Sequence, residues 1–404
     1  MVRYIGVDAT GWATSQAPQN YSDLYTRVEL AGPEQEGAAG GQSILRDYAA
    51  ENRGWFDRIW SSKTNTVTML ANVIAQDPSL TVALPLFSVT YASGPSLGNT
   101  WTTNFTSSNV SSPLFRIGPN TSLTIDLNAQ VSSDVKSQGA AAAISAVTTA
   151  VQIAAPTSTL LTTLSKADIT NTATAIDTTL SQLLSRNITE DIALGRLADS
   201  WSATSTIKLS GCAPFVREEG TNVTTAPCGT QVDMDGAYNV PVGVWQLRLA
   251  CPRFSVFDAR DLCHQIGTIA SPPAGGVIDL SVAANVTSIK TTLAGSAQDA
   301  EILSFKLSSQ TDVQTFVQAQ AWYSTFITAP SGGGAKGAAD YTDFCTGAVQ
   351  GLEANGLSQF DSALVLRAMI DQMPKVAAQK AGFNAAATNV GCKPILDAAQ
   401  TTVQ

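Results

Sequence analysis

One short motif in the chain, Gly94-Pro-Ser-Leu-Gly98, has the form of a nucleophile elbow. In a serine hydrolase this pattern joins a strand to a helix, so that the serine projects from a strained turn. The apolar segment Leu80 to Ala92 predicts the strand, but the Thr- and Asn-rich segment after Gly98 does not predict a helix. The single histidine, His264, follows Asp258 and Asp261 in the chain order of one hydrolase class. An aspartate three residues from its histidine is a poor orienting partner, so the motif does not predict a serine hydrolase.

Paired carboxylates are the other residues that could carry catalysis, because two facing acids support glycoside hydrolysis. Neighbouring acids occur at Asp258 and Asp261, at Asp340 and Asp343, and at Glu218 and Glu219. Spacing along the chain does not give the distance between two carboxylates, so each pair equally predicts a turn or a helix cap. The segment Asp233-Met-Asp-Gly resembles the start of a calcium loop but lacks the downstream glutamate of an EF-hand. We therefore predict no catalytic, cofactor-binding or metal-binding residue.

The chain has six cysteines, which allow many disulfide connectivities. Pairing between neighbours along the chain would join Cys212 to Cys228, Cys251 to Cys263, and Cys345 to Cys392. A structural zinc site usually takes ligands in close pairs, two to four residues apart. No such pair occurs in this sequence, so we predict disulfides rather than a metal site.

Composition indicates the compartment and excludes one class of partner. Of the 404 residues, 44% are hydrophobic, which is enough for a substantial core, and only 14% are charged, against about a quarter in ordinary soluble domains. A low-charge, hydroxyl-rich surface with an even number of cysteines predicts export to the periplasm, the cell surface or the extracellular space. The net charge of −9, with no cluster of basic residues along the chain, argues against binding to nucleic acid.

The sequence shows no membrane-spanning segment and no leader. The start, MVRYIGVDATGW, lacks the long apolar region of a signal peptide. The most apolar window, residues 139–155, is too short to cross a bilayer. An anchor that is not visible in this sequence would allow association with a membrane surface.

Period-two alternation predicts strands in several parts of the chain. They are residues 3–8, most of 66–131, 202–210, 242–260, 275–282 and 300–308. Residues 20–42 are polar and rich in Gly and Pro, which predicts a loop or linker. Short strands separated by turns favour an antiparallel arrangement.

Helical spacing appears in two other regions. Apolar residues three and four apart between about 132 and 190 predict a helical hairpin. After a Gly-rich segment at 331–337, further helices are predicted at 341–353 and 358–373, the latter capped by Ser358. We therefore predict one β-rich domain at 1–330 with the hairpin inserted at about 132–190, followed by a helical subdomain at 331–404.

The predicted fold class is α+β: an antiparallel, sandwich-like β-sheet with an inserted α-helical hairpin and a small C-terminal helical subdomain. The predicted function is non-catalytic: an exported, disulfide-bonded protein that binds another protein, associates with itself, or forms part of an extracellular or cell-surface assembly. The alternative is a secreted polysaccharide hydrolase that uses paired carboxylates. Its aromatic residues Trp55, Phe56 and Trp60 would then form a sugar platform rather than part of the core.

Overall fold

The fold was analysed in a computed structural model of the chain. It describes residues 4–8, 20–34, 64–76, 80–92, 100–106, 110–112, 114–132, 189–200, 206–215, 238–264, 266, 276–306, 311–328, 336–384 and 391–400. The predicted helical hairpin, the aromatic residues Trp55 to Trp60 and the Gly-rich segment before 336 lie outside the described residues. Both helices and strands are present, as the sequence predicts.

The strands come first along the chain and most helices follow. The strands are β1 (Tyr4–Asp8), β2 (Tyr25–Thr26), β3 (Val28–Glu34), β4 (Thr64–Gln76), β5 (Leu80–Ala92), β6 (Thr100–Thr106), β7 (Val110–Ser111), β8 (Phe115–Arg116), β9 (Ser122–Ser132), β10 (Thr189–Arg196), β11 (Thr206–Phe215) and β12 (Tyr238–Leu249). The helices are α1 (Leu197–Ser200), α2 (Ala283–Ser296), α3 (Asp299–Ser304), α4 (Val313–Gln318), α5 (Ala321–Thr328), α6 (Ala338–Ala354), α7 (Gln359–Gln372), α8 (Pro374–Ala377), α9 (Lys380–Asn384) and α10 (Lys393–Ala398).

The first five-stranded sheet has the order β1-β11-β12-β3-β7, and each neighbouring pair is antiparallel. Alternation along β12 is as predicted, with Leu247 and Leu249 buried and Arg248 exposed between them. This sheet therefore has one face on the core and one face toward solvent at β12.

The strand predicted for residues 242–260 is too long, because β12 ends at Leu249 and only a single bridge at Arg253 follows it. Side-chain carboxylates take the backbone N–H groups that a neighbouring strand would otherwise use. Val256 donates its N–H to Asp361 at 2.9 Å, and Arg260 donates its N–H to Asp258 at 2.9 Å. One local carboxylate and one carboxylate from α7 thus replace the ladder of a sheet in this segment.

The second five-stranded sheet has the order β10-β9-β4-β5-β6 and is also antiparallel throughout. Val73 and Ala75 on β4 are buried, as are Leu123 and Ile125 on β9. Buried residues of both large sheets belong to one hydrophobic core. The antiparallel arrangement predicted from the sequence is confirmed.

The loop predicted for residues 20–42 was wrong for its first half, which contains β2 and β3. Tyr21, Leu24, Tyr25 and Leu30 in this part are buried. Their spacing follows no single period, because the segment pairs in turn with strands far away in the chain. For example, the backbone of Tyr25 forms hydrogen bonds with the backbone of Arg253, more than two hundred residues later in the chain.

The strands predicted for 275–282 and 300–308 were also wrong. Residues 276–282 form an irregular turn, and Asp299–Ser304 is the helix α3. Six residues are too few to separate a period of two from a period of 3.6. Burial of the adjacent Ile302 and Leu303, together with acidic residues in the first turn, favours the helix.

The helices predicted at 341–353 and 358–373 are confirmed as α6 and α7. Gly356 adopts φ 94° in the turn between them, which a residue without Cβ does easily. Ser358 caps α7 by accepting the N–H of Asp361, and the helix ends before Pro374. Every residue of α7 from Phe360 to Ile370 is buried, so this helix lies at the centre of the helical part.

Candidate functional site

The sequence-predicted catalytic motifs are only partly described. The Gly94–Gly98 motif, Glu218 with Glu219, and the loop at Asp233 lie outside the described residues. His264 is present and its side chain is 78% exposed. Asp261 reaches it, with 2.7 Å between Oδ1 and Nδ1, because residues 261–264 form a turn. The expectation that Asp261 is badly placed to orient His264 was therefore wrong.

Asp258 and Asp340 have structural partners, and Asp343 is exposed on α6. Asp258 binds the Arg260 guanidinium at 2.5 Å. The hydrogen bonds from the Arg260 side chain and then from its backbone lower the pKa of Asp258 against the opposing effect of burial. Asp340 accepts the N–H of Gly337 at 2.8 Å at the start of α6. These two carboxylates thus act in a turn and a helix cap, one of the two roles that the sequence allowed for them.

Two disulfides are described, Cys251 to Cys263 and Cys345 to Cys392. They are the pairs suggested by proximity along the chain. Cys212 lies in β11, and its suggested partner Cys228 is outside the described part of the chain. Asp261 lies close to the sulfurs of Cys251 and Cys263, but those sulfurs are bonded to each other and offer no thiolate to a metal.

A cavity of about 440 Å³ lies beside the Cys251–Cys263 disulfide. Its wall includes Arg27, Glu29, Arg248, Arg253 and His264. Arg27 and Glu29 lie at the start of β3 or directly before it, and Arg248 lies near the end of β12. Arg253 lies in the segment closed by the disulfide, and His264 directly follows that segment. The cavity reaches the surface, because Arg248 and His264 have side chains that are 62% and 78% exposed.

Pairing of β3 with β12 brings two of these arginines onto one carboxylate. Glu29 lies directly opposite Arg248 in the register, and Arg27 precedes Glu29 by two residues. Arg27 donates from Nε and Nη2 to Glu29 Oε1 at 3.0 and 2.8 Å. Arg248 donates from Nε to Oε2 at 2.8 Å, and its Nη2 also lies 2.8 Å from that oxygen. Both oxygens of Glu29 are thus held by guanidinium groups.

Arg253 is the third arginine, and it has a fixed backbone but an incompletely paired side chain. Its N–H donates to Tyr25 O at 3.0 Å, and its carbonyl accepts Tyr25 N–H at 2.9 Å. Its buried Nε has no acceptor among the residues that the structure describes. Burial, followed by the nearby charge of Arg27, lowers the pKa of the Arg253 guanidinium. A buried donor of this kind is costly unless something accepts from it.

A buried network behind the cavity holds the segment that carries Arg253. Asp361 at the start of α7 accepts the Ser255 hydroxyl at 2.5 Å and the Val256 N–H at 2.9 Å. Burial raises the pKa of Asp361 to about 7, although these hydrogen bonds oppose the change. Tyr25 OH accepts the N–H of Ser358 at 2.5 Å. The first turn of α7 therefore holds the segment that carries Arg253.

The sequence did not predict this group of arginines. Basic residues do not cluster along the chain, but the strand register brings Arg27 and Arg248 together in three dimensions. Arg248 on the exposed face of β12 and the Arg27-x-Glu29 spacing were the available signals. Neither signal identifies the partner strand.

No protein-family model, curated protein or solved structure matches the chain. Among the described helices, none combines the length and the apolar character needed to cross a membrane. The geometry of the cavity is therefore the main guide to its chemistry. Guanidinium groups bind carboxylates and phosphates through a rigid, planar set of donors, so the cavity is suited to an anionic group.

Proposed function

We propose that the protein is exported and non-catalytic, and that it binds another protein, or another copy of itself, in an extracellular, cell-surface or periplasmic assembly. The observation that carries this proposal is the arginine-lined cavity, where three guanidinium groups outnumber the carboxylates of Glu29 and Asp261. Arginine is enriched in protein interfaces, where it pairs with anionic groups. The two described disulfides support export to an oxidising compartment.

Native mass spectrometry of protein isolated from its own source, without reductant, tests this proposal. We expect a mass at a multiple of the chain mass, or a complex with a second polypeptide. Repeating the isolation with Arg248→Gln tests whether the cavity takes part, because this mostly exposed side chain can be changed without disturbing the core. A bare monomer with no recoverable partner, at concentrations up to those in its source, would refute the proposal.

We also propose the finer arrangement of the fold. The two large sheets pack face to face as a sandwich, the helical hairpin is inserted at about 132–190, and residues 331–404 form a helical subdomain docked through α7. The shared core of both sheets supports the sandwich. The bonds from Asp361 to Ser255 and Val256 support docking of α7. A crystal structure in which the two sheets do not face each other would refute this arrangement.

A second candidate function, polysaccharide hydrolysis, is favoured by a separate cavity of about 300 Å³ whose wall includes both Asp258 and Glu301. Two carboxylates in one cavity are the minimum for a glycosidase. In such a pair the general acid needs a raised pKa. The Arg260 hydrogen bonds instead lower the pKa of Asp258, so Asp258 does not suit the role of the general acid. Glu301→Gln and Asp258→Asn should each abolish any hydrolysis detected in a polysaccharide screen. Activity that survives both changes would exclude this pair.

A further inference from the structure

We propose that the arginine-lined cavity binds a carboxylate of an acidic segment in a protein partner, and that Glu29 is an internal competitor for that carboxylate. This inference rests on the proposed function, since it names the chemistry of the partner at the same cavity. In the unbound protein, Glu29 occupies Arg27 and Arg248. An incoming acidic side chain displaces it from one or both arginines and also accepts from Arg253.

The first argument is the geometry of the resident group. Arg27 and Arg248 hold the two oxygens of Glu29 from two sides, at distances between 2.8 and 3.0 Å. The two guanidinium groups are therefore already placed for a carboxylate. A second carboxylate of the same shape needs no rearrangement of the strands to take this position.

The second argument is the unmet donor on Arg253. Arg253 lines the cavity, and no described residue accepts from its buried Nε. Asp361 and Asp258 attract its charge without binding its Nε, while Arg27 repels it. A carboxylate brought in by a ligand would supply the acceptor and would offset the repulsion between the two arginines.

The third argument is that the resident pairs can exchange. The side chains of Arg27 and Arg248 are 41% and 62% exposed, whereas the side chain of Glu29 is only 19% exposed. An incoming carboxylate can therefore reach both arginines from solvent and bind the donors that now hold Glu29. A cavity of about 440 Å³ also has room for more than one acidic side chain.

Isothermal titration calorimetry of the full, oxidised chain with a tetraglutamate peptide tests the proposal, with free glutarate as a second probe. Both probes carry carboxylates, but only the peptide has the backbone and neighbouring acids of a partner segment. We expect saturable binding of tetraglutamate that weakens with salt, and weaker binding of glutarate. Glu29→Gln should tighten tetraglutamate binding about tenfold, because it removes the competitor and keeps the shape. Equal affinity for both probes would point to a free small carboxylate as the ligand and would overturn the acidic-segment proposal.

Two further variants change the arginines. Arg253→Gln should weaken binding about tenfold, since it removes the donor without an internal partner. Arg248→Gln should also weaken it and cannot fail through loss of the core, because that side chain is mostly exposed. Asp397→Asn and Lys393→Gln make the same net-charge changes in an exposed pair on α10 that does not line the cavity. Both controls should leave binding unchanged.

Absence of tetraglutamate binding by the unaltered chain and by Glu29→Gln would overturn the inference. So would a gain in affinity with Asp397→Asn that equals the gain with Glu29→Gln, because binding would then follow net charge alone. If a partner is recovered from the native source and its binding is insensitive to Arg248→Gln and Arg253→Gln, the proposed function stands and this inference falls. Tetraglutamate binding that depends on the cavity, without any recoverable partner, would support the carboxylate site and refute the proposed function.

Discussion

Asp361 makes the stability of the protein depend on pH. Burial raises the pKa of its carboxyl from 3.8 to about 7 in the folded chain, against hydrogen bonds from Ser255 and Val256. The neighbouring Tyr25 stays protonated, because burial and then the charge of Asp361 raise its pKa well above 10.0. A folded pKa above the unfolded value means that the folded state binds the proton more tightly. This contribution is complete below pH 3.8 and is lost as the pH rises to about 7.

The size of the effect follows from the two pKa values. The change from 3.8 to about 7 is about three pKa units, and each unit corresponds to about 1.4 kcal/mol. Between pH 4 and pH 7.5 the free energy of unfolding should therefore fall by up to roughly 4 kcal/mol from this group alone. Mildly acidic conditions should stabilise the junction between the β-rich part and α7.

Urea unfolding without reductant, measured at several pH values between 4 and 8, gives this quantity. The matched variant is Asp361→Asn, which keeps the shape and is neutral at every pH. Burial also raises the pKa of Asp23 and Glu353, but these groups act in both proteins and cancel in the difference. The free energy of unfolding of the unaltered chain should fall relative to that of Asp361→Asn as the pH rises.

Parallel pH profiles for the two proteins would refute the reasoning, because they would show that Asp361 keeps the same pKa in the folded and unfolded states. A relative gain in stability at higher pH would show that the hydrogen bonds outweigh burial. Asp397→Asn, on an exposed side chain, should reproduce the unaltered profile and serves as the control.

Three other changes should alter stability in ways that denaturation measurements can check. Arg367→Met should lower the free energy of unfolding by about 3–5 kcal/mol, since a buried arginine that binds Asp299 and two carbonyls at the end of α2 is lost; no change would contradict this. Replacing Cys345 and Cys392 together by alanine should cost about 4 kcal/mol by freeing a loop of 47 residues, and reductant should then have no further effect at this pair. Gly351→Ala should cost about 1–3 kcal/mol, because its Cβ would lie 2.5 Å from Trp322 Nε1; Gly295→Ala, with open space around it, is the matched control and should be neutral or stabilising.

Predictions from the sequence succeeded where the cause is local. Ser358, the glycine at 356 and Pro374 mark the limits of α7 without reference to the rest of the chain. Alternation of Leu247, Arg248 and Leu249 similarly reports which face of β12 is buried. Such signals depend on a few neighbouring residues, and the sequence contains all of them.

Predictions failed where the cause lies in distant parts of the chain. Tyr25 belongs to a strand because it pairs with Arg116 and Arg253, and nothing within residues 20–34 shows either partner. The cavity has the same origin, since Arg27 and Arg248 meet only through the register of β3 on β12. Periodicity in the sequence shows which face of a strand is buried but not which strand pairs with it. A site built from residues of two paired strands therefore cannot be predicted from periodicity.

The Cys345–Cys392 bond also determines how the protein would respond to a mechanical pull. Tension along the backbone passes through the bond from one sulfur to the other and bypasses the 47 positions that separate the two cysteines. Fully extended, that stretch would span roughly 160 Å. A pulling experiment would show this extension only after reduction of the disulfide. Helices α7, α8 and α9 lie inside the bypassed stretch. The helix that holds the segment carrying Arg253 is therefore shielded from load for as long as the bond is intact.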